Sequence, residues 1–462
     1  MSFASAEFLV FFVVVLGGTA IVERCCPNRV KESFLLLASY FFYGYWDWRF
    51  CFLLLFVTTA SFFSAKYSHY KPVYIAGIVV PLVVLGVFKY FDFFLDSISA
   101  IVGSRLGAFH IILPVGISFY TFQALSYVID VHRKKLAIET DYIKLALYIS
   151  FFPQLVAGPI VRASDFLPQL REKRMVSFDN IKWGIQVFAF GLFKKIVLAD
   201  HISVFVDDVF SKPVAFHWAT IVLATISYSI QIYFDFSGYS DMAIGCAKCF
   251  GYDFNKNFNL PYISQNITEF WRRWHISLSS WLKEYLYIPL GGNRKGKVRQ
   301  YLNLFLTMLL GGLWHGANWT FVFWGGLNGL ALCVDKITPM RSKHRALRPL
   351  KILATFSFIT FTWIFFRADS FSSAWAVIKG IFTFQNGVCQ PFSWSFIALA
   401  FLSISTIVAE IKAKREHVTT TVGFYPILNL QSVFGLTIFF VELGLIFGLA
   451  FTGENPFVYF QF

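Results

Sequence analysis

Three stretches near the start of the chain, Phe8 to Val22, Phe34 to Tyr45 and Val73 to Phe88, contain no charged residue and consist largely of Leu, Phe, Val and Ile. Runs of this kind approach the roughly 20 residues that cross a hydrocarbon core. A bilayer offers the backbone no hydrogen-bond partner, so a spanning segment must be a helix or part of a closed barrel. Barrel strands alternate apolar and polar residues, and these runs do not. The chain is therefore expected to be an all-α polytopic membrane protein with about eleven to thirteen membrane segments. Composition agrees: 57% of the 462 residues are hydrophobic and 14% charged, against about 25% charged in a soluble globular chain.

The formal net charge of +14 would raise nucleic-acid binding in a soluble protein. Here the basic residues fall in short loops between spans, which reports orientation and makes the lipid bilayer, not nucleic acid, the partner. Arg24, Arg29 and Lys31 mark one cytoplasmic loop, Lys66 and Lys71 a second, and His132 to Lys135 a third. Asp47 lies on an outer turn, and Asp92, Asp96 and Arg105 on an outer segment. Lys412, Lys414 and Arg415 precede a last span from about Gln431 to Thr452. Met1 to Glu7 has neither a basic region nor a small-residue cleavage site, so the first span is expected to be permanent. Both termini are then expected to be extracytoplasmic. The seven cysteines form no disulfide framework, and Cys246-x-x-Cys249, with no second pair, fits packing better than metal.

One domain is expected, with N-terminal spans over 1–135, a core over 140–335, C-terminal spans over 348–452 and an aromatic tail over 453–462. Within 142–262, apolar runs are interrupted by Phe152-Pro153, Ala157-Gly158-Pro159 and Ser237-Gly238, and Lys194-Lys195 sit inside a hydrophobic stretch. Broken helices at membrane depth are tolerated where they line a cavity or are buried in protein.

The densest polar information lies between Tyr233 and Asn328. Asp235 and Asp241 stand in an apolar setting, where an ionisable residue is a functional hypothesis by default. Capping of broken helices or pairing with a buried cation is the plain alternative for both. Asn266 and Glu269 have capping-box spacing and predict a helix start. Trp271, Trp274, Leu278, Trp281 and Tyr285 then recur as an aromatic stripe, which reads as an interfacial amphipathic helix and leaves His275 unexplained. Leu290 to Arg299 is a Gly-rich basic loop whose Arg294, Lys295 and Lys297 could meet the phosphates of a nucleotide-like donor or serve simply as a positive loop. His315 lies deep in an apolar run, between Gly311-Gly312 and Gly316, with Trp314 and Asn318 beside it. Small residues let backbones or a substrate approach closely. The gap from His275 to His315 matches no zinc-ligand spacing, so no metal is expected.

From Pro261 to Gly326 the chain resembles the membrane-bound O-acyltransferase family. The resemblance extends to Leu113-Pro-Val-Gly-Ile-Ser-Phe-Tyr-Thr-Phe122, Ala157-Gly-Pro159, the Tyr233 to Asp241 segment and the terminal Phe-Val-Tyr-Phe-Gln-Phe. It is similar above all to the membrane subunits of bacterial alginate, cellulose and peptidoglycan O-acetylation systems, among which the glycan stays open. The resemblance implies a bacterial inner membrane as the setting, a ring of helices around a central funnel, acetyl-CoA as thioester donor and a polysaccharide acceptor. It also implies a periplasmic SGNH-type transferase as partner, His315 as the catalytic histidine and His275 as the second motif position, which is His or Asn. Acyl transfer needs a base near a thioester carbonyl, and imidazole, with a pKa of about 6.5, suits it. His315 is assigned as base. His275 is assigned to orient substrate or support the oxyanion. Asp241, Asp235, Asn318 and Trp314 are candidates for substrate contact. The last six residues, with Tyr459, resemble the terminal Phe-x-Tyr-x-x-Phe of the small protein that accompanies D-alanyl transfer to teichoic acid. Tyr459 is expected to carry the acetyl group outward. An exporter, a small-molecule transporter or a non-catalytic scaffold would share the broken helices and buried Asp.

Overall fold

A computed structural model describes residues 1–104, 107, 109–156, 158–338, 345–390, 394–415, 419–420 and 423–450. They are overwhelmingly helical, with one two-residue antiparallel pair, Thr419–Thr420 with Gly423–Phe424. Two compact units are distinguishable, Met1–Phe188 with Ser240–Asn255, and Ala189–Tyr239 with Lys256–Phe462.

The first unit contains α1 (Ala6–Cys25), α2 (Asn28–Gly44), α3 (Arg49–Lys66), α4 (Lys71–Leu85), α5 (Phe91–Val102), α6 (Ile117–His132), α7 (Tyr142–Ser150), α8 (Phe152–Leu155), α9 (Ala163–Arg171) and most of α10 (Phe178–Leu192). Local chemistry starts several of them. The Ser5 hydroxyl accepts from the Phe8 N–H at 3.2 Å, and the Asp141 carboxylate from the Ile143 N–H at 2.9 Å, each satisfying a donor that the helix leaves open. α6 starts at Ile117, where Gly116 turns the chain at φ 75°. Any Cβ there would collide with the Leu155 carbonyl. The outer helices expose their apolar side chains, Val10 at 66% and Leu37 at 70%, as lipid-facing surfaces do.

The second unit contains α11 (Asp200–Ser211), the first two-thirds of α12 (Trp218–Cys249), α13 (Ile267–Trp271), α14 (Ile276–Leu282), α15 (Gly296–His315), α16 (Trp319–Ile337), α17 (Arg348–Arg367), α18 (Phe371–Phe382), α19 (Trp394–Arg415) and α20 (Val433–Gly448). α12 is enclosed: 72% of its most apolar window is buried, against 28% in α1. It runs unbroken through Ser237-Gly238, so the expected interruption there is absent. Gly238 instead admits the backbone of Gly191, whose oxygen would lie 2.6 Å from a Cβ.

Six helices among the described residues are long and apolar enough to cross a membrane, where the sequence predicts eleven to thirteen segments. Two further apolar helices, α18 and α20, are shorter, and α7 is divided from α8 at Phe151. Lys194 and Lys195 lie in a π-helical segment, Phe193–Ala199. Lys195 is held at 2.7 Å by both Asp200 and Asp235. Lys194 pairs with Glu410 at 3.1 Å, and Glu410 also accepts from the Tyr233 hydroxyl at 2.5 Å. All of these side chains are buried, so each charge is met by its opposite as a low-dielectric interior requires.

Candidate functional site

α15 and α16 are joined by Gly316, Ala317 and Asn318. Their backbones nearly touch: a Cβ on Gly312 would collide with the Phe321 carbonyl, and one on Gly325 with the Met308 carbonyl. Of the glycines around His315, Gly312 therefore serves helix-to-helix approach, whereas Gly311 faces the Leu282 side chain and Gly316 the Phe321 ring. Asn318 caps α16, its Oδ1 accepting from the Thr320 N–H at 3.0 Å and its amide donating to the Asp369 carbonyl at 2.9 Å.

His315 is the last residue of α15 and is buried. Aromatic rings enclose it, with centroids at 5.1 Å for Trp314, 5.1 Å for Trp324 and 5.5 Å for Phe366. Trp324 stacks on Trp363 at 5.5 Å, and Trp363 meets Trp274 at 5.1 Å. The His275 ring lies 6.4 Å from that of His315 and 6.2 Å from Trp314, with Phe236 of α12 edge-on at 4.6 Å. Two histidines distant in sequence thus share one apolar, aromatic enclosure.

Asn266 starts α13, accepting from the Glu269 N–H at 2.7 Å. The Glu269 carboxylate in turn accepts from the Gln265 N–H at 2.9 Å, one residue short of a true capping box. The continuous amphipathic helix expected beyond it does not form. α13 stops at Trp271, His275 turns left-handed at φ 42°, ψ 57°, and α14 begins afresh. Trp274, Leu278, Trp281 and Tyr285 are buried, so the stripe is core and not a headgroup anchor. Arg273 remains beside Glu269 at 2.6 Å.

Asn257, which sequence reasoning missed, holds this turn. Its backbone oxygen accepts from the Ile276 N–H at 2.9 Å, and its Oδ1 from the Ser277 N–H at 3.1 Å. Burial pushes the His275 imidazole down to about 3, because desolvation disfavours the charged form. His275 is therefore neutral at physiological pH.

The other expected site residues are dispersed. Asp235 sits with Lys195, and Asp241 is buried in the part of α12 that belongs to the first unit. Arg294, Lys295 and Lys297 are exposed, the first two in a loop where Gly291 and Gly292 take positive φ and the third in the first turn of α15. That loop opens α15 and His315 closes it, about 28 Å apart at 1.5 Å per residue. Among the described residues no group of three or more His, Cys, Asp or Glu could hold a metal ion. All seven cysteines are free. Tyr459 and the tail 453–462 lie outside the described residues, as does Ala157.

A family profile described as MBOAT, membrane-bound O-acyltransferase family, matches residues 50–378, a span that includes both histidines. The chain is 41% identical over 424 residues to the "Probable alginate O-acetylase AlgI" of Pseudomonas aeruginosa, covering 88% of this chain and 79% of that protein. It is 41% identical over 408 residues to the peptidoglycan O-acetyltransferase of Helicobacter pylori, covering 80% and 77%. A more distant relative is the teichoic acid D-alanyltransferase of Bacillus subtilis, 26% identical over 275 residues, covering 56% and 69%.

Proposed function

Because the chain belongs to the membrane-bound O-acyltransferase family, and is thus a membrane O-acyltransferase, we propose that it moves an acetyl group from a cytoplasmic thioester, acetyl-CoA, towards a secreted or cell-wall polysaccharide. The observation that supports this reading most directly is the pair of buried histidine rings, 6.4 Å apart in an aromatic enclosure. His315 acts as general base and His275 as its supporting group. The acceptor oxygen attacks the thioester carbonyl, a C–O bond forms, the C–S bond breaks, and His315 passes the acceptor's proton to the leaving thiolate. Arg294, Lys295 and Lys297 are proposed to receive the donor's phosphates, and Asp241, Asp235, Asn318 and Trp314 to shape the acceptor's path. Asp235 and Asn318 do so through the partners described above. The test is His315→Ala: acetylation is expected to vanish with expression and insertion near wild type. Retention of more than a small fraction of activity would refute the assignment. Acetyl-CoA left intact by purified wild-type protein would point to a transporter instead.

The acceptor oxygen is proposed to be the phenol of Tyr459, which then presents the acetyl group to a periplasmic SGNH-type transferase. With a pKa of about 10, phenol is a better leaving group than a sugar hydroxyl, so an aryl ester keeps much of the thioester's transfer potential. Proton transfer from phenol to imidazole is uphill by about 3.5 pKa units, roughly 4.8 kcal/mol, an acceptable part of an enzymatic barrier when concerted with attack. Tyr459→Phe keeps an aromatic anchor and removes only the hydroxyl. Glycan acetylation in cells carrying it is expected to collapse, and wild-type levels would eliminate the relay.

A further inference from the structure

The contacts of Asn257 converge on the ring of His275, and the donors around it determine which nitrogen of that ring carries the proton. Oδ1 of Asn257 accepts from the Ser277 N–H at 3.1 Å and from the Ser277 hydroxyl at 3.0 Å, and lies 3.3 Å from His275 Nδ1. A backbone N–H can only donate, so it is the amide oxygen, not the amide nitrogen, that faces the ring. That oxygen has only lone pairs to offer. The Ser277 hydroxyl is 3.4 Å from the same Nδ1 but 3.0 Å from Oδ1, so its single proton is assigned to the shorter contact and a lone pair faces the ring. Both neighbours of Nδ1 are acceptors. A neutral imidazole satisfies them only with its proton on Nδ1, which leaves the lone pair on Nε2.

We propose that Asn257 is a positioning residue of the acyl-transfer site, fixing His275 as the Nδ1–H tautomer so that Nε2 accepts, and cannot donate, a hydrogen bond. This rests on the acyl-transfer reading above and sharpens it. Of the two roles expected for His275, support of an oxyanion needs a donor and is excluded. Orientation of the acceptor hydroxyl needs an acceptor and is retained. The ring is buried against Phe236 and Trp314, an environment that keeps it neutral and the tautomer meaningful.

Nitrogen NMR of the full-length protein labelled at histidine, in detergent, tests the tautomer without reference to activity. The signal lost in His275→Asn is expected to report a protonated Nδ1 and a bare Nε2 across neutral pH. In Asn257→Ala it should become a mixture of tautomers. In Asn257→Asp, which retains an oxygen facing Nδ1, it should keep the wild-type form. CoA thiol release in a single turnover with acetyl-CoA, the acetyl group passing to Tyr459, should follow the same order: its rate falling about 10–100-fold for Asn257→Ala at an unchanged half-saturating acetyl-CoA concentration, and largely kept for Asn257→Asp. A proton on Nε2 in the wild type would overturn the proposal. So would an unchanged tautomer in Asn257→Ala, or equal loss of activity in both variants. If Asn257→Ala does not fold, Asn257→Asp decides, because loss of the Nδ1 proton there is also fatal. An active His315→Ala would instead defeat the proposed function and leave the NMR result standing.

Discussion

His275 holds a left-handed backbone, φ 42°, ψ 57°, which costs most L-residues roughly 1–2 kcal/mol. Asn occupies that region several-fold more readily than other residues, and its side-chain oxygen can also accept a hydrogen bond. His275→Ala therefore loses both the ring and the backbone preference, whereas His275→Asn keeps the preference and part of the polarity. The expected outcome is partial loss of glycan acetylation and a lowered melting temperature for Ala, with Asn milder on both. Equal and complete loss of activity in the two variants would make the imidazole itself indispensable. The sequence makes Asn266 legible as a cap, because capping acts across three residues. It hides Asn257, one of three asparagines at 255, 257 and 259, because no spacing rule ties a loop amide to a ring 18 residues on.

The α15–α16 hairpin puts similar pressure on its glycines, though unequally. At Gly312 a methyl group would collide with the Phe321 carbonyl, a rigid backbone atom, and overpacking of this kind costs about 1–3 kcal/mol. At Gly326 the nearest atom would be the Leu309 Cδ1 at 3.5 Å, ordinary contact, and Ala gains up to about 1 kcal/mol of helix propensity. Gly312→Ala should lower the melting temperature in detergent and reduce activity, since His315 is three residues further along. Gly326→Ala should do neither. A tolerated Gly312→Ala would mean that the hairpin opens freely. From the sequence alone the glycines announce close approach but not to what. The break at His275 is hidden for a related reason: neither Gly nor Pro marks it, and the aromatic period of Trp274, Leu278, Trp281 and Tyr285 runs on through it.

Across the whole molecule, the apolar runs and basic loops made an all-helical membrane protein readable, and the motifs from Pro261 to Gly326 made its family readable. Long-range pairing of charge was not readable, because Lys194 and Glu410 are 216 residues apart. Removing one partner of a buried pair costs about 3–5 kcal/mol, whereas replacing both by apolar residues is often neutral. Glu410→Gln should therefore depress thermal stability in detergent more than Lys194→Met with Glu410→Met combined. A double variant worse than the single would show that the pair contributes more than mutual neutralisation. The same separation also has a consequence in time. A ribosome adding roughly 5–20 residues per second needs about 10–40 s to travel from Lys194 to Glu410. Throughout that interval the lysine is without its carboxylate, and the insertion machinery must keep it near water until Glu410 has been made.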